Sequence, residues 1–110
     1  PLADIAPDPG ATGRRAIGQL TRHVDRWWLH IDLDVLDPVE FPAQGLPDVE
    51  DEPGGLTWAQ LTAMVDAMLD TGHCVGCSIA IYDPDQDPAA TDAAQIVEFA
   101  RNVLGDRASR

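Results

Sequence analysis

Trp28-Leu29-His30-Ile31-Asp32-Leu33-Asp34-Val35-Leu36-Asp37-Pro38 is the stretch that decides the fold. Apolar and polar residues alternate along it, which is the period of a β-strand. The alternation predicts a strand from Trp27 to Val35 that carries His30, Asp32 and Asp34 on one face. Pro38 cannot donate to a sheet ladder, so we expect the strand to have ended before it.

Two carboxylates on one strand face repel each other, and a bound cation offsets that repulsion. Asp32 and Asp34 lie near the carboxyl end of the predicted strand, where open parallel sheets bind their ligands. Carboxylate oxygens suit Mn²⁺ or Mg²⁺, and added imidazole shifts the preference toward Mn²⁺. The pattern therefore favours a metal site, although the solvated face of an amphipathic strand gives the same alternation.

Helical periodicity flanks this strand on both sides. The spacing of apolar residues predicts an amphipathic helix from Ala11 to Val24, and Thr57-Trp58-Ala59-Gln60 is a capping box that begins a second helix. A strand buried on both faces is predicted from Val75 to Tyr82, and a last helix from Ala89 or Thr91 to Leu104. This alternation of helices and strands predicts the α/β class, with parallel strands and helices packed on the sheet. Because two strands make an incomplete sheet, something must cover an exposed edge.

The bulk composition fits one small globular domain over residues 1–110. Acidic residues dominate, with 19 Asp plus Glu against 7 Lys plus Arg and a net charge of −12. That balance excludes nucleic acid and anionic membrane surfaces as partners, because both require a basic patch. No apolar run is long enough to cross a bilayer and no signal peptide is visible, so we expect a cytoplasmic protein.

Cys74 and Cys77 form a CxxC pair with no second pair of Cys or His residues at zinc-finger spacing. Residues three apart on a strand face opposite sides, which disfavours a shared site. The pair is either a redox or half-zinc motif or two ordinary small residues of a buried strand, and the second interpretation is favoured.

The run from Trp28 to Thr57 resembles the third metal-binding signature of the ureohydrolases, the arginase/agmatinase/formiminoglutamase family. Three elements match in the right order: a D-x-D-x-x-D-P core, a P-[small]-x-G-x-P loop and a Gly-Gly-Leu-Thr helix entry. In this sequence they are Asp32/Asp34/Asp37-Pro38, Pro42–Pro47 and Gly54–Thr57.

The resemblance implies a three-layer α/β/α fold with a parallel sheet, of which this chain is the C-terminal portion. It also implies that Asp32 and Asp34 ligate two Mn²⁺ ions, where an activated water attacks a small cationic guanidino or amidino substrate and cleaves a C–N bond. Homo-oligomers are common in the family. His30 stands where the family commonly has Ser or Thr, and is either a residue that orients Asp32 through a hydrogen bond or a plain polar neighbour on the same strand face. Asp37 is expected to shape the pocket.

Three departures accompany the resemblance. The Gly-Gly-Asp-His and Asp-Ala-His-x-Asp motifs that supply the family's other ligands do not occur in these 110 residues. A missing N-terminal half or a partner chain is therefore expected to supply the rest of the site. Ile81 or Tyr82 stands where arginases place a substrate-binding Glu, so arginine specificity is unsupported. The acids at positions 48 to 52 extend the loop, either toward a cationic substrate or simply into solvent.

These departures leave two other interpretations open. A non-catalytic arginase-like domain with a structural or oligomerisation role is the main alternative. A flavodoxin-like binding module would need a Gly-rich phosphate turn after a strand, and the sequence has none.

Overall fold

A computed structural model describes residue 5, residues 7–47 and residues 53–105 of the chain. The helices and strands in chain order are α1 (Pro9–Leu20), β1 (Trp27–Asp32), α2 (Trp58–Asp70), β2 (Cys74–Ala80) and α3 (Thr91–Ala100). Short 3₁₀ turns lie at Leu33–Val35 and Pro84–Gln86, and a π-helical turn at Arg101–Gly105 continues α3.

The two strands pair in parallel, with α2 between them in the chain. This confirms the predicted α/β class and its parallel strands. The register along the ladder pairs Trp28 with Gly76, His30 with Ser78, and Asp32 with Ala80. A shift in register separates Trp27 from Trp28.

One hydrophobic cluster joins the inward face of β1 to all three helices. Its buried members are Ile17, Trp27, Leu29, Ile31, Leu33, Leu36, Phe41, Ala43, Leu61, Val65, Leu69, Phe99 and Val103. The opposite face of β1, with Trp28, His30 and Asp32, is exposed. The described residues therefore form two layers of the expected α/β/α fold and do not include the third.

β1 is shorter than predicted. The alternation of residue types continues to Val35, but pairing with β2 stops at Asp32. Ala80 is the final partner on β2, and Ile81 after it turns away with a φ of 70°. The N–H of Leu36 donates to the carbonyl of Leu33 at 3.1 Å and closes a turn instead. The prediction that Asp34 belongs to the strand was wrong, since it lies in this turn.

α1 also differs from its prediction. It ends at Leu20 rather than Val24, and both of these side chains are exposed. The buried positions are Gly13 and Ile17. A Cβ at Gly13 would lie 2.8 Å from the carbonyl oxygen of Met64, so the absence of a side chain there lets α1 approach α2 closely.

The start of α2 confirms the predicted capping box. Thr57 Oγ1 accepts the N–H of Gln60 at 3.1 Å, and Gln60 Oε1 accepts the N–H of Thr57 at 2.9 Å. The helix ends at Asp70, and Gly72 follows it in the left-handed region with a φ of 84°.

β2 spans Cys74–Ala80 and is half-buried, with Val75 exposed, so the prediction of burial on both faces was wrong. α3 and the π-helical turn that continues it end at Gly105, one residue after the predicted end at Leu104. Among the described residues, none of the helices combines the length and hydropathy needed to cross a membrane.

Candidate metal centre

Asp32 is the last residue of β1, and its side chain is 49% exposed at the carboxyl end of the strand. His30 lies two residues earlier on the same exposed face. The Nε2 atom of His30 is 2.8 Å from Asp32 Oδ1. This places the imidazole where the sequence predicted a supporting contact, while its role toward a metal stays a prediction.

Asp34 lies in the middle of the 3₁₀ turn and is exposed. Its carboxylate has no hydrogen bond or ion pair with any residue in the described part of the chain. Carboxylate oxygens without internal partners remain able to bind a hard divalent cation. The turn, rather than strand alternation, therefore presents this group to solvent just beyond the end of β1.

The donor set is small. Within the described ranges, no group of three or more His, Cys, Asp or Glu side chains is close enough together to hold a metal ion. Asp32 and Asp34 fit the chemistry of ligands for Mn²⁺ or Mg²⁺, but a two-metal site needs more ligands than these two.

Asp37 joins the two ends of the loop that follows β1. Its Oδ1 accepts the N–H of Val39 at 3.0 Å, and its Oδ2 accepts the N–H of Gly54 at 2.8 Å. The hydrogen bond from Val39 and then that from Gly54 lower the pKa of Asp37 below its ordinary value. Asp37 thus shapes the loop beside the candidate ligands. The acids at positions 48 to 52 lie outside the described residues.

Asp87, in the acidic loop after β2, accepts hydrogen bonds from the start of α3. Burial raises the pKa of Asp87, but hydrogen bonds from the Asp92 N–H, the Tyr82 hydroxyl and the Ala93 N–H together lower it below its ordinary value. The bond that Tyr82 donates to Asp87 in turn raises the pKa of the phenol. Asp87 is therefore engaged in the local structure at the start of α3.

Side chains that the sequence analysis did not single out tie the two loops together. Asp92 Oδ2 accepts the N–H of Ala43 at 2.8 Å, and Gln86 Nε2 donates to the carbonyl of Gln44 at 3.1 Å. The backbone N–H of Asp83 donates to the carbonyl oxygen of Ala43 at 2.9 Å. These partners are about 40 to 50 residues apart, and no local sequence pattern pairs them.

Ser78 is another residue that sequence reasoning missed. Its Oγ lies 2.7 Å from His30 Nδ1 and accepts the indole N–H of Trp28 at 3.1 Å. The available signal was the register, since His30 pairs with Ser78 across the two strands. That register cannot be read from either strand alone.

A cleft of about 370 Å³ lies beside Asp32. Four consecutive residues of β1, from Leu29 to Asp32, line it, so it follows a strand edge rather than one face. The other edge of β1 is paired with β2. Apolar side chains of α2, including Met64 and Met68, form much of the remaining wall.

The two cysteines provide no metal site in the described residues. Cys74 and Cys77 are free and half-buried. Burial, and then the nearby Cys74, raise the pKa of the Cys77 thiol. A raised pKa lowers the thiolate fraction, which disfavours a redox role.

Comparison with known proteins gives a consistent result. The model of the family described as "Arginase family" matches residues 6–105. The N(1)-aminopropylagmatine ureohydrolase of Thermus thermophilus is 32% identical over 92 residues, which are 83% of this chain and 28% of that protein. The chain therefore spans little more than a quarter of the length of this curated relative.

Solved structures share the fold. Arginase from Bacillus caldovelox superposes with a TM-score of 0.79 at 21% identity, over 94% of this chain and 34% of that one. A putative agmatinase from Clostridium difficile superposes with a TM-score of 0.53 at 30% identity, over 73% of this chain and 29% of that one.

Proposed function

The chain belongs to the arginase family, and on that premise we propose that it provides two carboxylate ligands, Asp32 and Asp34, to the site of a metal-dependent hydrolase. The reaction is cleavage of a C–N bond in a linear guanidino or amidino compound. One observation carries the proposal. Asp34 is exposed and has no partner among the described residues, and it lies in the turn directly after Asp32, which His30 contacts at 2.8 Å.

The donor chemistry supports Mn²⁺ as the metal, since carboxylates dominate and an imidazole stands behind one of them. A divalent ion bound by Asp32 and Asp34 would supply Lewis-acid activation of water and polarisation of the substrate. His30 holds one oxygen of Asp32 in place. Asp37 accepts the N–H of Gly54 and so holds the two ends of the following loop together.

The remaining ligands come, in this proposal, from protein outside these 110 residues, either a longer chain or a partner. Two observations support this: the small donor set of the described residues, and the 28% of the curated relative that the chain spans. The cleft along the unpaired edge of β1 is mostly apolar. It suits the packing of additional protein better than the binding of a charged substrate.

The substrate class rests on the relative and on charge. The relative's name specifies a ureohydrolase of N(1)-aminopropylagmatine, and we propose a small cationic guanidino or amidino compound for this protein. The net charge of −12 favours the approach of cations. A cytoplasmic location and assembly into a homo-oligomer, both expected from the sequence analysis, complete the proposal.

The test is Mn²⁺-dependent release of urea from guanidino compounds by the complete natural gene product. We expect Asp34→Asn to lower the rate by more than about 100-fold, because a ligand is lost. Asp25→Asn, at an exposed position before β1, is the matched control and should keep the wild-type rate. Hydrolysis that survives Asp34→Asn would refute the proposal.

A non-catalytic arginase-like domain is the second candidate, and Ile81 favours it. This β-branched residue stands at the carboxyl end of β2 near the position of the arginase Glu and adopts a left-handed φ of 70°. Its aliphatic side chain has no acceptor for the N–H groups of a guanidinium. Under this alternative, the complete gene product would hydrolyse no guanidino compound at any Mn²⁺ concentration and would still assemble with its partners.

A further inference from the structure

A line of hydrogen bonds crosses the exposed face of the strand pair and ends on Asp32. The indole Nε1–H of Trp28 donates to Ser78 Oγ at 3.1 Å. The same Oγ lies 2.7 Å from His30 Nδ1, and His30 Nε2 lies 2.8 Å from Asp32 Oδ1. The register places these residues on one face, so the line follows from the pairing of β1 with β2.

The two ends of the line fix the direction of the bonds that they make, and the direction of the bond between Ser78 and His30 Nδ1 follows for a neutral ring. An indole nitrogen can only donate, and a carboxylate can only accept. Asp32 therefore requires a proton on His30 Nε2. In a neutral ring this leaves Nδ1 as an acceptor, so the hydroxyl of Ser78 donates to Nδ1 while accepting the bond from Trp28.

The ring of Trp28 is held in place as well. A Cβ at Gly76 would overlap the six-membered ring of Trp28, so the indole lies directly over this glycine. Gly76 is the residue paired with Trp28 across the ladder. The contact explains why a 59% exposed tryptophan still points its N–H toward Ser78.

We propose that Ser78 and Trp28 are positioning residues that hold the Nε2–H of His30 on Oδ1 of Asp32 and thereby leave Oδ2 of Asp32 as the oxygen presented to the cation. This inference rests on the proposed function for the identity of the cation. The hydrogen-bond line itself belongs to the chain as it stands and can be measured without metal.

The first experiment records ¹⁵N NMR shifts of the three imidazoles in metal-free protein at pH about 8, where free imidazole is neutral. We expect His30 to show an unprotonated Nδ1 and a protonated Nε2, with no averaging between them. Ser78→Ala should move the two nitrogen shifts toward each other. Ser78→Thr, which keeps the hydroxyl, should restore the wild-type separation.

The exposed residues His23 and His73 are internal controls whose shifts should not change. Trp28→Phe keeps a ring over Gly76 but removes the N–H, and should produce part of the Ser78→Ala effect. A neutral His30 ring that carries its proton on Nδ1 and not on Nε2, or a Ser78→Ala spectrum identical to that of the wild type, would overturn the proposal.

A second readout separates this inference from the proposed function. In the complete gene product, Ser78→Ala should weaken Mn²⁺ binding by about 10- to 100-fold and Ser78→Thr should not. Unchanged Mn²⁺ affinity in Ser78→Ala, where Asp34→Asn does weaken binding, would refute the positioning role alone. If Asp34→Asn also leaves Mn²⁺ binding unchanged, the proposed function fails, whereas the NMR result still decides the tautomer.

Discussion

Asp37 joins the two ends of the loop after β1, at Val39 and at Gly54. Each of its carboxylate oxygens accepts one backbone N–H, from Val39 and from Gly54. The ionised form makes both bonds, which explains the lowered pKa. Asp37, which the resemblance assigns to the pocket, thus holds the loop next to the candidate ligands.

The first prediction concerns the stability of the folded state against pH. Because the pKa of Asp37 is lower in the folded than in the unfolded protein, its contribution is fully present above the ordinary value of 3.8 and is lost as pH falls through the folded pKa. Asp37→Asn loses one of the two bonds. We expect its urea midpoint to lie below that of the wild type at pH 6 and to converge with it below pH 3.8. Asp25→Asn is the control; a constant difference across this range would contradict the prediction.

Single residues show how far sequence reasoning reaches. Asp32 and Asp34 were predicted as metal ligands from a motif, and that prediction is untested. The contact of His30 with Asp32 follows from their spacing of two on a strand. Ser78 and Asp92 were not identified, because their partners are more than 45 residues away. Side-chain contacts between distant segments depend on register, which local periodicity does not specify.

At the scale of elements, the loop after β1 returns to a parallel bridge between Leu36 and Leu56. Gly55 precedes this bridge, and a Cβ there would overlap the backbone of Leu36 and Asp37. The glycine is required by close approach of two backbone segments. The Gly-Gly-Leu-Thr entry of α2 therefore has a structural reason independent of any ligand.

The second prediction follows from that approach. Gly55→Ala should lower the free energy of unfolding by about 1–3 kcal/mol, because backbone must move to admit the methyl group. Gly18→Ala is the matched control, because Gly18 is an exposed residue of α1 and no atom lies within 4 Å of the added Cβ. It should stabilise by about 0.5–1 kcal/mol. Urea denaturation measures both, and equal effects of the same sign would contradict the explanation.

The third prediction concerns the junction of α3 with the loop after β1. Asp92→Ala leaves the N–H of Ala43 without its acceptor in a buried setting, which should cost about 1–3 kcal/mol of unfolding free energy. Asp92→Asn keeps an acceptor oxygen and should cost less. Equal losses in the two variants, measured by urea denaturation, would show that this hydrogen bond is not the cause.

Elements were predicted better than their limits. The capping box at Thr57 placed the start of α2 correctly, since both of its hydrogen bonds are local. The end of β1 was misplaced because strand length depends on the partner, and β2 stops pairing at Ala80. The close contact of α1 with α2 was not predicted, because it is made at Gly13, which has no side chain and does not contribute to a hydrophobic pattern.

At the scale of the whole molecule, a two-stranded sheet with one exposed face and one unpaired edge carries the candidate ligands at its carboxyl end. The α/β class followed from the order of elements, and the family followed from the motif. The further ligands that we propose would come from protein outside these 110 residues, and no pattern within the sequence specifies them.

The most direct measurement is paramagnetic broadening by Mn²⁺ in ¹⁵N-labelled protein, at a small fraction of one equivalent. We expect the amide signals of Asp32 and Asp34 to lose intensity before any others, and Asp34→Asn to remove that selectivity. Broadening that begins in the acidic segment from Asp83 to Asp87, or that Asp34→Asn leaves unchanged, would contradict the assignment of Asp32 and Asp34 as metal ligands.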